Sequence, residues 1–393
     1  MPNSASASLL VASYGALRAW LIEAAFDLWW LRGADHAVGG FHERLNVDAT
    51  PTAEPRRARL HPRQAFAYSL AAKLGWRGPS EQAVAHAMAF FLSHYRRADG
   101  FFRATVAASG SSVDDGCVLY DQAFALLGFA AAHRVLGGDG YRQLAMELQS
   151  GVRSRLANSS GGFRESVRGA RPLSSNSHMH LLEASLAWIQ IDDTGPWRAL
   201  AAELVELALS RCIDDRSGAL PELFDYSWQP YPAEAGQVVE PGHQFEWAWL
   251  LLRAHRYFAD ARITPAALRL IEVGETYGVD KVRDVAVNQL RHDLRVLDTN
   301  ARLWPQTERL RAACAVAEAS GDGSFLEVVA NAANSLTAYL DTPVRGLWRD
   351  LMDGDGSFRH EPSPASSLYH IVGAIAELDR LCGLLGISDH TAG

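Results

Sequence analysis

Apolar residues recur three and four positions apart along most of the chain, which is the spacing of α-helices rather than of β-strands. Several of these segments are apolar nearly all round, among them LYDQAFALLGFAAAHRVLG, FEWAWLLLRAHRYFA and SLYHIVGAIAELDRLCGLLG. Such helices must be enclosed by other helices, whereas a segment with one polar face, such as PWRALAAELVELALSRCI, is typical of an outer layer. The pattern therefore predicts helical hairpins packed in two layers.

A turn motif separates these helices: a glycine followed by an aromatic residue or leucine, often with an acid or an arginine nearby. It occurs as GGFHE at 39, DGFFR at 99, GGFRE at 161, SGALPELF at 217 and RGLWRD at 345, with RLWPQTE at 302 as a weaker member that lacks the glycine. The first four are about sixty residues apart, the length of two helices and their connections. Six such units predict an all-α fold, an (α/α)6 barrel, because an open array would need polar caps. A single domain over residues 1–393 is expected.

Composition narrows the possible partners. The 393 residues are 48% hydrophobic and 21% charged, as in ordinary globular proteins, and the formal net charge is -8. That charge argues against nucleic acid and anionic membranes, and against a strongly anionic substrate unless arginines gather locally. Four scattered cysteines fit a reducing compartment. Since neither a secretory signal pattern nor a run of eighteen apolar residues is present, we expect a cytoplasmic protein without a membrane span.

Polar clusters stand at the predicted starts of four helices. They are HPRQAF with Pro62 and Arg63, LSSNSHMHLLEA with Asn176, His178 and His180, EPGHQFEW with Pro241, His243 and Glu246, and SPASSLYHIV with His370. Each proline is expected at the first helical position, and the serines at 174, 175, 366 and 367 are expected to cap helices with their side chains.

In a ring of hairpins the inner helices begin at one common end, so these first turns are predicted to surround a single cavity. The positive end of a helix disfavours imidazolium, and the histidines are therefore predicted to be neutral and available as bases. Two neutral histidines with an arginine and a carboxylate suit removal of a proton next to a carbonyl group, where Arg63 would stabilise the developing negative charge.

Other interpretations of these residues remain open at this stage. A histidine at a helix start is often only a cap or a packing residue, and His178 and His180 cannot share a helix face, so one of them should point elsewhere. A glycoside hydrolase would need two carboxylates, for which Glu246, Asp121 and Glu308 are candidates. No metal is expected, because HMH lacks a third ligand and neither HExxH nor a cysteine pair occurs. Nucleotide-binding and serine-hydrolase motifs are also absent from the sequence.

Taken in order, the motifs RQAFAYSL, LYDQAF, NSHMHLLEA, GHQFEW, WPQTE and YHI resemble the N-acylglucosamine 2-epimerase superfamily, which includes D-mannose isomerases and cellobiose 2-epimerases. The resemblance covers essentially the whole chain and implies the same (α/α)6 barrel. It also implies isomerisation of a monosaccharide without metal or cofactor, through the open-chain sugar and a cis-enediolate.

The resemblance assigns roles to particular residues. It implies that His243 and His370 are the acid/base pair, with His370 taking the proton from C2 in an isomerase. The residues implied to bind substrate or orient the catalytic groups are Arg63, Tyr120, Asn176, His180, Glu246 and Trp304.

Two departures bear on the substrate. Cellobiose 2-epimerases carry a doubled tryptophan where this chain has Leu303 and Trp304, and a YHN-like stretch where it has LYHIV. Both departures count against a disaccharide substrate. The resemblance favours interconversion of D-mannose and D-fructose, and a monomer or homodimer is expected. The alternatives are 2-epimerisation of glucose and mannose or of an N-acyl hexosamine, and, in another class, a non-catalytic sugar-binding scaffold.

Overall fold

The computed structural model describes residues 4–168, 171–321 and 325–387, and twelve long helices dominate these residues. Their bounds are α1 Ser4–Trp20, α2 Leu60–Leu74, α3 Ser80–Tyr95, α4 Leu119–Leu136, α5 Gly140–Leu156, α6 Ser175–Ile189, α7 Trp197–Leu207, α8 Pro241–Ala254, α9 Ile263–Tyr277, α10 Leu303–Ser320, α11 Leu326–Leu340 and α12 Leu368–Leu384. α1 continues without a break through Leu21–Ala25, Phe26–Leu28 and Trp29–Gly33, and α7 continues through Ala208–Cys212. The two short 3-10 helices are Glu234–Gln237 and Ala365–Ser367. The prediction of a mostly helical protein is confirmed.

The even-numbered helices contact one another in a closed cycle. α2 packs against α4, α4 against α6, α6 against α8, α8 against α10, α10 against α12, and α12 against α2. The odd-numbered helices pack outside them: α3 on α2, α5 on α4, α7 on α6, α9 on α8, α11 on α10, and α1 on α11 and α12. The inner helices are buried almost all round, as their sequences require; in α8 every residue except Arg253 is buried.

Short antiparallel strands join the loops at the ends of the helices. The pairs are Arg44–Leu45 with Ser363–Pro364, Leu173–Ser174 with Leu223–Phe224, Val279–Asp280 with Val285–Ala286, and Ala301–Arg302 with Leu351–Met352. Two three-stranded groups join Arg56–Arg57, Thr105–Val106 and Ser112–Asp114, and Val238–Val239, Gln289–Arg291 and Val296–Asp298.

The repeated turn motif has a physical basis. In each of the six units, a polar side chain at or just before the start of the inner helix accepts the backbone N–H of one apolar residue in the preceding turn, at 2.7–3.2 Å. The pairs are His61 with Phe41, Gln122 with Phe102, His178 with Phe163, Gln244 with Leu220, Gln306 with Ala286, and Ser363 with Trp348. His178 therefore points away from His180, as the spacing predicted.

A left-handed residue stands two positions before each of these apolar residues. Five are glycines with φ between 72° and 105°, and the sixth is Asp284 with φ 52°. The prediction that RLWPQTE marks the sixth turn is therefore wrong: that segment begins α10, and the sixth turn lies at Val285–Ala286. The true sixth turn does not match the motif, because Asp284 occupies the left-handed region that glycine usually fills.

The predicted helix starts are correct in part. Pro241 is the first residue of α8, as predicted, but Pro62 is the third residue of α2 rather than its first. The expected side-chain caps are wrong: Ser174 and Ser367 precede α6 and α12 without capping them. The strand pairs formed just before both helices already fix the backbone there.

Two expectations drawn from composition can be compared with the structure. All four cysteines are free and buried, in agreement with the expected absence of disulfides. The segment Ser6–Gly33, by contrast, is long and apolar enough to cross a membrane by length and composition alone, which the expectation of no such segment missed. Core helices of soluble proteins pass the same test, and this segment packs as an outer helix on α11 and α12.

Replacing one of the six side chains that accept the turn N–H should lower the free energy of unfolding. Gln122→Leu keeps the apolar volume but leaves the buried N–H and C=O of Phe102 unpaired, and we expect a loss of about 2–4 kcal/mol in the free energy of unfolding. Urea unfolding measures the loss. Gln143→Leu removes an exposed glutamine and should change stability by less than about 0.5 kcal/mol. Equal stabilities for the two variants would contradict the anchoring role.

Candidate active site

The first turns of all six inner helices open into one cavity of about 620 Å³. Every residue to which the resemblance assigned a role lines it, at least one from each inner helix: Arg63 of α2, Tyr120 of α4, Asn176 and His180 of α6, His243 and Glu246 of α8, Trp304 of α10, and His370 of α12. Asp121 and Glu308, the other two candidate carboxylates, are not among the lining residues. The structure therefore brings together residues that are far apart in sequence, while their individual roles remain predictions.

His243 is held by two carboxylates. Its Nδ1 lies 2.8 Å from Oε2 of Glu222 and 3.5 Å from Oε2 of Glu240, so Nε2 is the nitrogen left for a ligand. Burial alone would lower the pKa of His243, but the charge and hydrogen bond of Glu222, helped by Glu240 and Glu246, raise it to about 9. The prediction that His243 is neutral is therefore wrong, because nearby full charges outweigh the partial charge of a helix end.

His370 has the opposite charge preference. Its Nδ1 lies 2.7 Å from Oε1 of Glu308, again leaving Nε2 for a ligand. Burial, with the positive charges of Arg63 and Arg311, holds the pKa of His370 well below its usual range, and the residue is neutral. The prediction of a neutral imidazole agrees with the structure here, although the cause is burial among cations.

Behind the cavity lies a buried charge network centred on Arg311. Its guanidinium lies 3.0 Å from Glu308, 3.2 Å from Glu183 and 3.9 Å from Glu246, and its carbon is 3.5 Å from the centre of the Trp249 ring. One cation is thus shared by three buried glutamates. Such an arrangement is costly to break, because removal of the cation would leave uncompensated buried charges.

Glu246 is the least compensated member of this network. Both of its carboxylate oxygens are buried and without a hydrogen-bond partner, and the side chain lines the cavity. Burial and repulsion from Glu308 and Glu183 raise the pKa of Glu246 well above its usual range. The Oδ1 atom of Asn176 is likewise buried and unpartnered. Unpaired buried polar atoms beside a cavity are suited to hydrogen-bonding a polar ligand.

The Trp304 ring packs close to both His243 and His370. The centre of its ring lies 4.8 Å from that of His243 and 5.8 Å from that of His370. Gly242 makes this packing possible, since a Cβ atom there would come within 2.4 Å of the Trp304 ring. An aromatic face between two imidazoles, one charged and one neutral, offers a platform for the apolar face of a sugar ring.

Arg63, Tyr120 and His180 occupy the opposite part of the cavity. Arg63 donates from Nη2 to the Tyr120 hydroxyl at 2.7 Å and lies over the ring of Phe124, 4.1 Å from its centre. Nδ1 of His180 is 3.1 Å from Glu183. Burial lowers the pKa of His180 to about 4, so this histidine is neutral as predicted.

The carboxylates behind the histidines were not assigned roles from sequence. Glu308 and Asp121 were considered only as carboxylates of a hydrolase, but Glu308 is engaged by His370 and Arg311, and Asp121 by Arg59. Glu222 was not among the candidates predicted from sequence. The turn motif could have indicated it, because Glu43, Glu165 and Glu222 each stand two residues after the apolar residue of the motif.

In all three of these repeats the turn carboxylate accepts a backbone N–H from the segment just before an inner helix, at 3.0–3.2 Å. In the third of these repeats the carboxylate, Glu222, also contacts His243 of α8. In this unit, the carboxylate that accepts the backbone N–H thus also holds a side chain of the cavity.

Comparison with known proteins shows the family to which this chain belongs. A family model described as N-acylglucosamine 2-epimerase matches residues 39–374. A protein of Rhizobium meliloti (strain 1021) named mannose-6-phosphate isomerase is 43% identical over 372 residues, covering 93% of this chain and 96% of the relative. The cellobiose 2-epimerase of Bacteroides fragilis is 23% identical over 86% of this chain and 90% of its own length.

Solved structures show the same fold. A crystal structure of D-mannose isomerase matches with a TM-score of 0.84 at 19% identity, covering 91% of this chain and 96% of that one. The cellobiose 2-epimerase of Bacillus thermoamylovorans matches with a TM-score of 0.85 at 18% identity, covering 93% and 99%. The chain belongs to the N-acylglucosamine 2-epimerase family of sugar isomerases and epimerases.

Proposed function

We propose that this chain is a metal-independent aldose–ketose isomerase that interconverts D-mannose and D-fructose. The observation that carries the proposal is the pair of histidines, one charged (His243) and one neutral (His370), in one cavity with their Nε2 atoms left for a ligand.

We further propose that the closed cycle of inner helices is an (α/α)6 barrel formed by the whole chain as one domain. We propose that this domain acts in the cytoplasm as a monomer or homodimer.

The two charge states match the needs of the reaction. His243, as an imidazolium, supplies a proton to the ring oxygen when the sugar opens, while the proton of the C1 hydroxyl is released. His370, as a neutral imidazole, takes the proton from C2, and the freed electron pair forms the C1–C2 double bond of a cis-enediolate. Its charged O1 then gains a proton, in place of the one released on ring opening, to give the cis-enediol. Return of the proton from His370 to C1, with loss of the O2 proton, gives the ketose with no net change in protons.

The surrounding residues suit substrate binding. Arg63 is placed to stabilise negative charge that develops on a substrate oxygen. Glu246 and Asn176 offer unpaired oxygen atoms to sugar hydroxyl groups, and the Trp304 ring offers an apolar face. In the same proposal His180 and Tyr120 complete the polar contacts.

The relatives support a mannose substrate. The relative at 43% identity is named for the 6-phosphate ester of mannose, and one at 26% identity over 65% of this chain is the D-mannose isomerase of Thermobifida fusca. A 2-epimerase is the second candidate, because both histidines line the cavity and a proton could reach C2 from either side.

The way in which the carboxylates are already engaged supports metal independence. Three groups of histidine and carboxylate could hold an ion, namely His180 with Glu183 and Glu246, Glu246 with Glu308 and His370, and His243 with Glu222 and Glu240. In the first two, Arg311 supplies the positive charge among the glutamates. In the third, the imidazolium of His243 supplies it.

Incubation with D-mannose in deuterated water tests the proposed reaction. We expect D-fructose carrying deuterium at C1, because the proton removed from C2 exchanges with solvent before it returns to C1; proton NMR of the products measures this. D-glucose labelled at C2 would instead show a 2-epimerase. No conversion of mannose, glucose, an N-acyl hexosamine or their 6-phosphate esters would show a non-catalytic sugar-binding protein.

Variants of the two histidines test their roles. His243→Gln and His370→Gln should each lower kcat by about 100-fold or more while the thermal unfolding temperature stays close to that of the wild type. His255→Gln, at an exposed histidine outside the cavity, is the matched control and should retain full activity. Near-normal turnover in either cavity variant would overturn the acid/base assignment.

Chelation tests metal independence. Activity should be unchanged after dialysis against EDTA, since Arg311 and His243 already compensate the buried carboxylates. Loss of activity that a divalent ion restores would contradict this part of the proposal.

A further inference from the structure

Most of the charged side chains that line the cavity lie on two sides of it; the exceptions are Arg302, 3.9 Å from Glu240, and Asp350. Four arginines, Arg44, Arg57, Arg59 and Arg63, come from α2 and the segment before it. Three glutamates, Glu222, Glu240 and Glu246, come from α8 and the segment before it. α2 and α8 are three helices apart in either direction around the cycle of contacts, so a cationic side faces an acidic one. The three arginines at the rim, Arg44, Arg57 and Arg59, are called the arginine wall below.

Buried carboxylates hold two members of the arginine wall in place. Arg57 pairs through Nε and Nη2 with Glu43, which is 3% exposed, and Arg59 donates from Nη1 to Asp121, which is 1% exposed, at 2.9 Å. The side chains of Arg57 and Arg59 are 34% and 24% exposed. Each arginine therefore has its carboxylate behind it and its remaining N–H groups available: Nη1 on Arg57, and Nε and Nη2 on Arg59.

Arg44 is held less tightly and lies closer to solvent. Its Nε is 3.4 Å from Glu54, whose side chain is 42% exposed. Residues 44 and 45 pair with Ser363–Pro364, the strand that leads into α12 and His370. Arg63 lies between the wall and the reacting groups, because it contacts Tyr120 and also donates to the carbonyl of Ser366 at 3.5 Å.

We propose that the arginine wall binds a phosphate group on the sugar, and that the preferred substrate is a hexose phosphorylated at a carbon remote from C1 and C2. This inference rests on the proposed isomerase function and names the substrate class of the same cavity. Reaction takes place between His243 and His370, and the phosphate lies toward Arg44, Arg57 and Arg59.

Chemistry favours an oxyanion over a neutral ligand at this wall. Guanidinium groups fixed by carboxylates behind them are preorganised, and their planar sets of N–H donors match the oxygen atoms of a phosphate. A neutral hexose brings no charge to meet them. The chain's net charge of -8 does not oppose this, because the cationic side is local and faces the cavity.

Comparison of D-mannose with D-mannose 6-phosphate tests the inference. We expect kcat/KM to be at least about tenfold higher for the phosphate ester, the effect of one charge-assisted contact. Inorganic phosphate should inhibit competitively against the ester. Arg44→Gln, which removes a cation whose ion-pair partner Glu54 is exposed, should lower kcat/KM for the ester about tenfold more than for D-mannose. Arg59→Lys, which keeps a cation beside Asp121 but loses the guanidinium fork, should give a smaller loss of the same kind.

The matched control is Arg96→Gln, which removes an exposed arginine paired with Glu147 outside the cavity and should alter neither value. If D-mannose is converted to D-fructose as efficiently as the ester and phosphate does not inhibit, the phosphate site is overturned while the isomerase stands. If neither sugar reacts but phosphate raises the unfolding temperature of the wild type and not of Arg44→Gln, the isomerase proposal is contradicted and the phosphate site is supported.

Discussion

The structure depends on the way each inner helix is tied to the turn before it. A polar side chain at the helix start binds the backbone of an apolar turn residue, and this bond recurs in all six units. The bond fixes where each helix begins relative to its loop, and the closed cycle of contacts places all six beginnings at one cavity. First-turn side chains separated by hundreds of residues therefore meet without any local sequence signal for their contact.

Within that frame, the two cavity histidines differ in charge because different charged groups surround them. Burial and the positive charges of Arg63 and Arg311 keep His370 neutral, although its Nδ1 lies beside Glu308, a carboxylate that Arg311 also engages. Among the described residues, Glu222 forms an ion pair with His243 alone, and its negative charge holds the proton on that imidazole. Two histidines in similar positions at helix starts are thereby given the complementary states that acid and base catalysis need.

The sequence predicts much of this and fails for identifiable reasons. Helical periodicity and the turn motif predict the layers, and the first-turn polar residues predict the lining of the cavity, because both follow from local spacing. The sixth turn was missed since Asp284 takes the place of glycine. The charge of His243 was predicted wrongly because it is decided by Glu222, 21 positions away, and not by its own helix. The arginine wall was equally hidden in a chain of negative net charge, because only folding gathers it.

The dependence of kcat/KM on pH, measured for the wild type and for Glu222→Gln, tests the central claim most directly. The proposed mechanism requires a neutral His370 and a protonated His243. Activity should therefore persist well below pH 6.5 and fall only as the pH rises through about 9. Without the Glu222 carboxylate the pKa of His243 falls, and the loss of activity should move to lower pH. A basic limb that stays in place in Glu222→Gln would contradict the account.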